Sequence, residues 1–294
     1  MKGGRIEFLQ PTTWQEALEA KAAHPEARPI SGGTDLMVEL NFDRRRPETI
    51  LDLTRVPELQ EWGTENGRLR IGAGVTYTQV IREMADRLPG LAIASRTVGS
   101  PQIRNRGTIG GNLGTASPAG DALPPLYVSG AEVELASVGG TRRVPVSEFI
   151  KAPKKTATKP EEVISAFYIP EADGPQQYAK IGTRNAMVIA VCSLGLALHP
   201  EKGEVCACIG SAGPTPIRAY EAEEFIRSLL EEYRLWGSRE ALDEAALGRF
   251  GELVAAAARP IDDLRGSGEY RRHAVGVLAR RTLRWAWNEY REGG

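Results

Sequence analysis

The chain has 294 residues, 41% of them hydrophobic and 26% charged, with a formal net charge of −1. This composition suits a globular protein with a core of normal size, in one large domain or two ordinary ones. The near-neutral balance excludes a global field for nucleic acid, no apolar run reaches the ~18 residues of a membrane span, and the N-terminus has no apolar signal region, so a cytoplasmic location is expected.

Residues 5–57 read β-α-β-α-β. "RIEFL" is a strand, and Thr13 with Glu16 has the spacing of a capping box that opens the helix "WQEALEAKAA". "ARPIS" is a strand, followed directly by "GGTDLMVELNF", a glycine pair and a short helix with Leu36, Val38, Leu40 and Phe42 as its apolar set. Arg44-Arg45-Arg46-Pro47 ends that helix, and "ETILDL" is the next strand. "LQEWGTENGRLRIGAGV" reads as a hairpin turning at Asn66-Gly67. "TYTQVIREMADRL" is an amphipathic helix with Val80, Ile81 and Met84 inward, stopped by Pro89-Gly90.

Residues 99–120 form a long Gly/Ser/Pro/Asn stretch without evident secondary structure, and such stretches in compact domains are usually functional. The strands "AEVELAS", "TRRVPV" and "EVISAFYIP" follow, so this part is mostly antiparallel α+β. "EADGPQQ" marks a boundary near residue 175, which divides the chain into 1–175 (halves 1–57 and 58–175) and 176–294. Beyond it a three-stranded meander precedes helices "AYEAEEFIRSLL", "REALDEAALGRFGELVAAAA" and "GEYRRHAVGVLARRTLRWAWNEY". In the last, Ala274, Val277, Leu278 and Trp285 are expected to share an inward stripe, with the arginines facing solvent.

Chemistry-bearing residues are sparse. The three cysteines, Cys192, Cys206 and Cys208, and the three histidines, His24, His199 and His273, match no zinc, iron–sulfur or triad pattern. No GxGxxG follows a strand and no P-loop is present, so Rossmann and P-loop readings fail. Redox or transfer chemistry would have to come from a bound cofactor or a partner. Gly32-Gly33 and Gly110-Gly111 each follow β-type residues, and either pair alone reads as a tight turn or as an anion-binding nest. Two similar loops favour the nest: a diphosphate fits between them, and a helix beginning near Asp35 adds its positive end.

The segments "PISGGTDLMVEL", "SPQIRNRGTIGGNLGTASPAGD" and "KKTATKPEEVISAFYIP" resemble the FAD-binding (medium) subunit of the molybdenum hydroxylases, the xanthine dehydrogenase and carbon monoxide dehydrogenase type. Its specific part is "QIRN-x-GTIGGN" followed by "ASP-x-x-D", and the resemblance covers nearly the whole chain. It implies a two-subdomain FAD-binding fold of the PCMH type, then a three-stranded antiparallel sheet with helices. It further implies FAD contacts at Pro29, Ile30, Ser31, Gly32, Gly33, Thr34, Asp35 and Leu36 in the first loop, and at Thr108, Ile109, Gly110, Gly111 and Asn112 in the second. Asp121 matches an acid that holds FAD hydroxyls, Lys180 a lysine near the flavin, and Val98 and Thr158 flavin-side contacts, although Ala157-Thr158 stand where leucines are frequent in the family. The resemblance implies an electron-transfer subunit that takes electrons from a [2Fe–2S] subunit and passes them to NAD⁺, a quinone or O₂. The molybdenum cofactor would lie in a large subunit, in a dimer of heterotrimers. Competing readings are a self-contained flavin oxidase or reductase of the vanillyl-alcohol-oxidase superfamily and a non-catalytic nucleotide-binding module. Oxidases of that superfamily often attach flavin covalently through a histidine near the first loop. "SGGTDL" has none, so FAD is expected to bind non-covalently.

Overall fold

The computed structural model describes residues 6–44 and 46–293. Arg5 of the expected first strand, Arg45 of the arginine run and Gly294 of the expected C-terminal domain lie outside the described residues.

Strands β1 (Glu7–Leu9), β2 (Arg28–Ile30) and β3 (Thr49–Asp52) form a parallel sheet in the order β1-β3-β2. Parallel neighbours need crossovers, supplied by α1 (Trp14–Ala23) and α2 (Leu36–Asn41). Helix α1 starts where the capping box places it: Thr13 Oγ1 accepts from the Glu16 N–H at 3.2 Å, and Glu16 Oε2 accepts from the Thr13 N–H at 3.3 Å. Helix α2 departs from expectation. Leu36 is buried, but Val38 and Phe42 are 44% and 69% exposed. Residues two apart lie on opposite sides of a helix, so that apolar set could not form one stripe.

After a 3₁₀ turn at Pro57–Gln60, β4 (Trp62–Glu65) and β5 (Arg68–Gly72) make a hairpin. Its turn residues Asn66 and Gly67 have φ of 51° and 74°, the pair a type I′ turn requires. Helix α3 (Tyr77–Glu83) opens on a second capping box, Thr76 with Gln79, and is shorter than the amphipathic pattern suggests. Pro89 begins α4 (Pro89–Arg96), because a proline at the first helical position lacks only an N–H that would be unpaired there anyway. The stretch 99–120, expected to be irregular, contains α5 (Pro101–Arg104) and α6 (Ile109–Thr115), capped by Ser100 and Thr108. Helices this short and glycine-rich carry no periodic signal, and caps and tertiary contacts hold them.

Helix α7 (Leu123–Val128) is buried along its whole length. Strands β6 (Glu132–Ser137) and β7 (Gly140–Pro145), the short α8 (Val146–Phe149), the hairpin β8 (Ile150–Ala152) with β9 (Lys155–Thr156), and β10 (Val163–Pro170) follow. An antiparallel sheet in the order β4-β5-β10-β6-β7 results, with Leu69, Ile71, Val133, Leu135 and Phe167 fully buried on it.

Strands β11 (Gln176–Ile181), β12 (Cys192–His199), β13 (Glu204–Gly210) and β14 (Ile217–Arg218) form the last sheet. It has four antiparallel strands where three are expected, because the two-residue β14 is too short to show any alternation. Both faces of β12 are covered. Leu194, Leu196 and Leu198 face the helices, while Ala197, with Cys206 and Cys208 of β13, joins the core of the first 175 residues. Gly195 lets the sheet approach α7, since a Cβ there would meet Pro124 C at 2.8 Å. All the cysteines are buried free thiols, and burial pushes Cys192 up to about 12.

Helices α9 (Tyr220–Glu232), α10 (Leu235–Ser238), α11 (Glu244–Ala257) and α12 (Gly268–Glu292) cover the outer face. Helix α11 begins later than the pattern suggests because Asp243 caps it, accepting from the Ala246 N–H at 2.6 Å. On α12 the buried stripe is Ala274, Val275, Leu278, Ala279, Thr282, Leu283, Ala286 and Trp287, with Trp285 47% exposed and Val277 half-buried. Arg271 contradicts the expectation of solvent-facing arginines. It is buried and donates to the Val191 and Ser211 carbonyls at 3.0 and 2.7 Å and to Asp263. Burial opposes the Asp263 charge, but the Arg265 N–H and the Arg265 and Arg271 guanidiniums outweigh it and hold the carboxyl at about 2. No helix is long and apolar enough to cross a membrane among the described residues.

His199 joins the two parts of the chain. Nδ1 lies 2.7 Å from Asp173 Oδ1 and Nε2 lies 2.9 Å from the Val128 carbonyl, so both ring nitrogens face acceptors and both must carry protons. Burial alone lowers its pKa, but the Cys206 thiol, the Val128 carbonyl and the Asp173 carboxylate outweigh it and raise the pKa to about 9. A raised folded-state pKa stabilises fully below about pH 6.5 and is lost as pH rises through about 9. The expected size is roughly 3 kcal/mol. Urea unfolding at pH 6 and pH 9.5 should show this loss in the wild type and not in His199→Gln; equal pH dependence in both would exclude the clamp.

Candidate functional site

A cavity of about 740 Å³ runs between the first parallel sheet and the antiparallel sheet. The segment Pro29, Ile30, Ser31, Gly32, Gly33, Thr34, Asp35 and Leu36 lines one wall. Thr108, Gly110, Gly111, Asn112 and Asp121 line the facing wall, and Val98 and Thr158 also reach it. Ile109 is fully buried behind that wall in α6 and does not line the cavity. Lys180 lies off the lining as well, and reaches it through Asp121. The fold therefore brings together residues spread from position 29 to position 180.

The two glycine loops touch each other, and their four glycines have different reasons to be glycine. A Cβ on Gly32 would sit 2.0 Å from the Arg106 carbonyl oxygen, and one on Gly110 would sit 2.4 Å from the Ala73 carbonyl oxygen. Those two glycines allow backbone to lie on backbone. Gly33 has φ of 75°, a conformation that disfavours side chains, and Gly111 meets only Thr108 Oγ1, at 3.1 Å. Side chains add ties across the junction: Thr108 Oγ1 donates to Ser31 Oγ at 3.2 Å, and Thr115 Oγ1 donates to Asp35 Oδ2 at 3.0 Å.

The loops also differ in their free donors. Among the described residues, the N–H groups of Gly32, Gly33, Thr34 and Asp35 make no hydrogen bond within the chain. The second loop does not offer the expected nest. The Gly110 N–H donates to the Ala73 carbonyl at 3.1 Å, the Gly111 N–H to Thr108 Oγ1 at 2.9 Å and the Asn112 N–H to the Thr108 carbonyl at 3.1 Å. The reason is that Gly110 and Gly111 lie in the first turn of a capped helix, a feature hidden in the sequence by the helix's short length. The first loop therefore carries the unused amides, and the second closes against it.

Asp121 sits on the far side. Its carboxylate accepts from the Lys180 ammonium and the Tyr178 hydroxyl, each at 2.7 Å. Burial pushes this carboxyl up, with Lys180 and Tyr178 acting against that rise. Lys180 also donates to the Thr97 carbonyl at 2.9 Å and the Val188 carbonyl at 3.3 Å, so it ties the last sheet to the cavity. Among the described residues, two buried polar atoms on the lining have no partner: the Tyr77 hydroxyl and Asn112 Oδ1. Sequence reasoning missed Tyr77, since a tyrosine in an amphipathic helix looks like core. Met187, Val188 and Ile189 line the cavity too, with Met187 and Ile189 exposed.

Comparison with known proteins agrees with this geometry. The family described as "FAD binding domain in molybdopterin dehydrogenase" matches residues 4–172, and "CO dehydrogenase flavoprotein C-terminal domain" matches residues 177–286. The chain is 31% identical to the carbon monoxide dehydrogenase medium chain of Afipia carboxidovorans, over 95% of this chain and 96% of that one. It is 33% identical to the nicotinate dehydrogenase FAD-subunit of Eubacterium barkeri, over 75% and 79% of the two chains. Among solved structures it resembles Cu,Mo-CO dehydrogenase with a TM-score of 0.86 at 27% identity, over 98% of this chain and all of that one. It also resembles quinoline 2-oxidoreductase from Pseudomonas putida 86 with a TM-score of 0.87 at 25% identity, over 99% of this chain and all of that one. With a family match over more than half its length, a cavity between two glycine loops and the corresponding fold, the chain belongs to the FAD-binding subunits of the molybdopterin dehydrogenases, oxidoreductase components also called molybdenum hydroxylases.

Proposed function

We propose that this chain is the electron-transfer subunit of a molybdenum hydroxylase complex, carrying FAD between a partner [2Fe–2S] subunit and an acceptor such as NAD⁺, a quinone or O₂. The observation that carries this reading is the run of unpaired N–H groups from Gly32 to Asp35 on the wall of a cavity large enough for a dinucleotide. Consecutive free amides suit a diphosphate, the group at the middle of FAD. In this reading residues 29–36 hold the diphosphate from one side and Thr108 to Asn112 close on the other. Asp121, kept in place by Lys180 and Tyr178, accepts from hydroxyls, since a carboxylate can hold two donors. Val98 and Thr158 complete the lining, and Ile109 supports Gly110 and Gly111 from behind. Bound FAD would supply the two-electron redox chemistry, and the chain's part is to hold, orient and shield it.

The division of labour follows. A large subunit would oxidise substrate at a molybdenum cofactor, and a small subunit would carry the [2Fe–2S] clusters, assembled as a dimer of heterotrimers in the cytoplasm. Within this chain we assign 1–175 to FAD binding, in halves 1–57 and 58–175, and 176–294 to the C-terminal domain. The purified lone chain loaded with FAD is expected to oxidise no purine, aldehyde or CO. Its flavin absorbance should bleach only on addition of a reduced iron–sulfur partner or a chemical reductant. Substrate turnover by the lone chain would replace this reading with a self-contained oxidase.

Non-covalent attachment has its own test. No histidine lies in the first loop, and all buried thiols sit in the core rather than on the cavity wall. Acid precipitation should therefore leave all flavin in the supernatant. Flavin that stays with the pellet would demonstrate a covalent link.

A further inference from the structure

Two polar atoms on lining residues stand out because the chain gives them nothing to bond. The Tyr77 hydroxyl and Asn112 Oδ1 are both closed to bulk water and both without a partner among the described residues. They have opposite needs: a neutral phenol must donate, and an amide oxygen must accept. An orphaned buried polar group is unfavourable, and native chains rarely keep one without a use for it.

The surroundings fix where the phenol lies. The Tyr77 N–H donates to the Gly107 carbonyl at 3.1 Å, and the tyrosine ring lies against Gly107, where an added Cβ would stand 3.3 Å from the ring edge. Gly107 neighbours Arg106, whose carbonyl lies against Gly32 at the contact between the two loops. Burial, then the charges of Asp121 and Asp35, keeps the phenol protonated and therefore a donor. Neither carboxylate accepts from it: Asp35 is occupied by Thr115, and Asp121 by Tyr178 and Lys180. The other orphan is on the same lining. Asn112 Oδ1 lies where a Cβ on Gly120 would come within 2.7 Å of it.

We propose that Tyr77 is a further cofactor-binding residue: its buried phenol donates a hydrogen bond to an acceptor oxygen of the bound dinucleotide beside the loop junction. Asn112 Oδ1 accepts from a hydroxyl of the same ligand. A ligand that offers an anionic oxygen next to hydroxyls answers both orphans, and a diphosphate joined to a polyol does so. The assignment rests on the FAD reading above.

The test is Tyr77→Phe in the full-length chain stripped of flavin, titrated with FAD and followed by flavin fluorescence, beside the unfolding midpoint without flavin. Removing an unpartnered hydroxyl should leave the flavin-free midpoint equal to or above that of the wild type. The FAD dissociation constant should rise about ten- to hundredfold, as expected for losing a hydrogen bond to a charged group. A purely structural tyrosine gives the opposite pattern, a lower flavin-free midpoint with unchanged FAD affinity, and that result overturns the proposal. Unchanged affinity with an unchanged midpoint overturns it equally. If the wild-type chain itself binds no FAD, the cofactor reading fails, which is a separate outcome visible in the same titration.

Discussion

Gly32→Ala and Gly110→Ala are each expected to destabilise the flavin-free chain by about 3 kcal/mol or more, a fall of roughly 6–12 °C in the unfolding midpoint. The added methyl has nowhere to go. At Gly32 it would lie 2.0 Å from the Arg106 carbonyl oxygen and 2.6 Å from its carbon; at Gly110 it would lie 2.4 Å from the Ala73 carbonyl oxygen and 2.7 Å from the Ala73 Cβ. These neighbours are mostly backbone, which cannot rotate away as a flexible side chain can. The Gly110 N–H also donates to that Ala73 carbonyl, so relieving the clash breaks a hydrogen bond. Thermal melts by circular dichroism on flavin-free protein separate this effect from loss of ligand. A midpoint within about 1 °C of the wild type would mean that the two loops do not meet as described.

Gly111→Val should do the reverse: keep the fold and lose the flavin. A Cβ at Gly111 meets only Thr108 Oγ1, at 3.1 Å, a distance that a small shift of the hydroxyl relieves. Beyond it the branched side chain extends toward the cavity that Gly111 lines. Helix α6 tolerates the change, since valine is not worse than glycine at a helical position. We expect FAD to be absent after gel filtration while the far-ultraviolet spectrum matches the wild type. Gly33→Val should also lose flavin, but with some loss of stability, because φ of 75° strains a β-branched residue. Stoichiometric FAD in Gly111→Val would show that the second loop does not face the ligand.

The contrast between neighbouring glycines shows what a sequence can determine and what it cannot. Local features were legible because their causes lie within a few residues. The capping box at Thr13 and Glu16 involves atoms three positions apart, and the Asn66-Gly67 turn follows from two residues that accept positive φ. The paired glycine loops, the absence of a Rossmann motif and the resemblance carried by "QIRNRGTIGGN" together marked the class of protein and the segments that line its cavity. What only the tertiary structure decided depends on atoms distant in sequence. Gly32 must be glycine because of Arg106, whereas Gly33 must be glycine because of its own φ. The amides of Gly110 and Gly111 are consumed by Ala73 and by the cap of a helix too short to show a period, so the open nest belongs to the first loop alone. Arg271 was expected in solvent, since α12 carries arginines on its outer side. It is buried because the Val191 and Ser211 carbonyls and the Asp263 carboxylate, brought together from three parts of the chain, accept from its two terminal nitrogens. Helical spacing does not mark Tyr77 either: it can show that a residue points inward, but only the packed structure shows that the Tyr77 hydroxyl has no partner there.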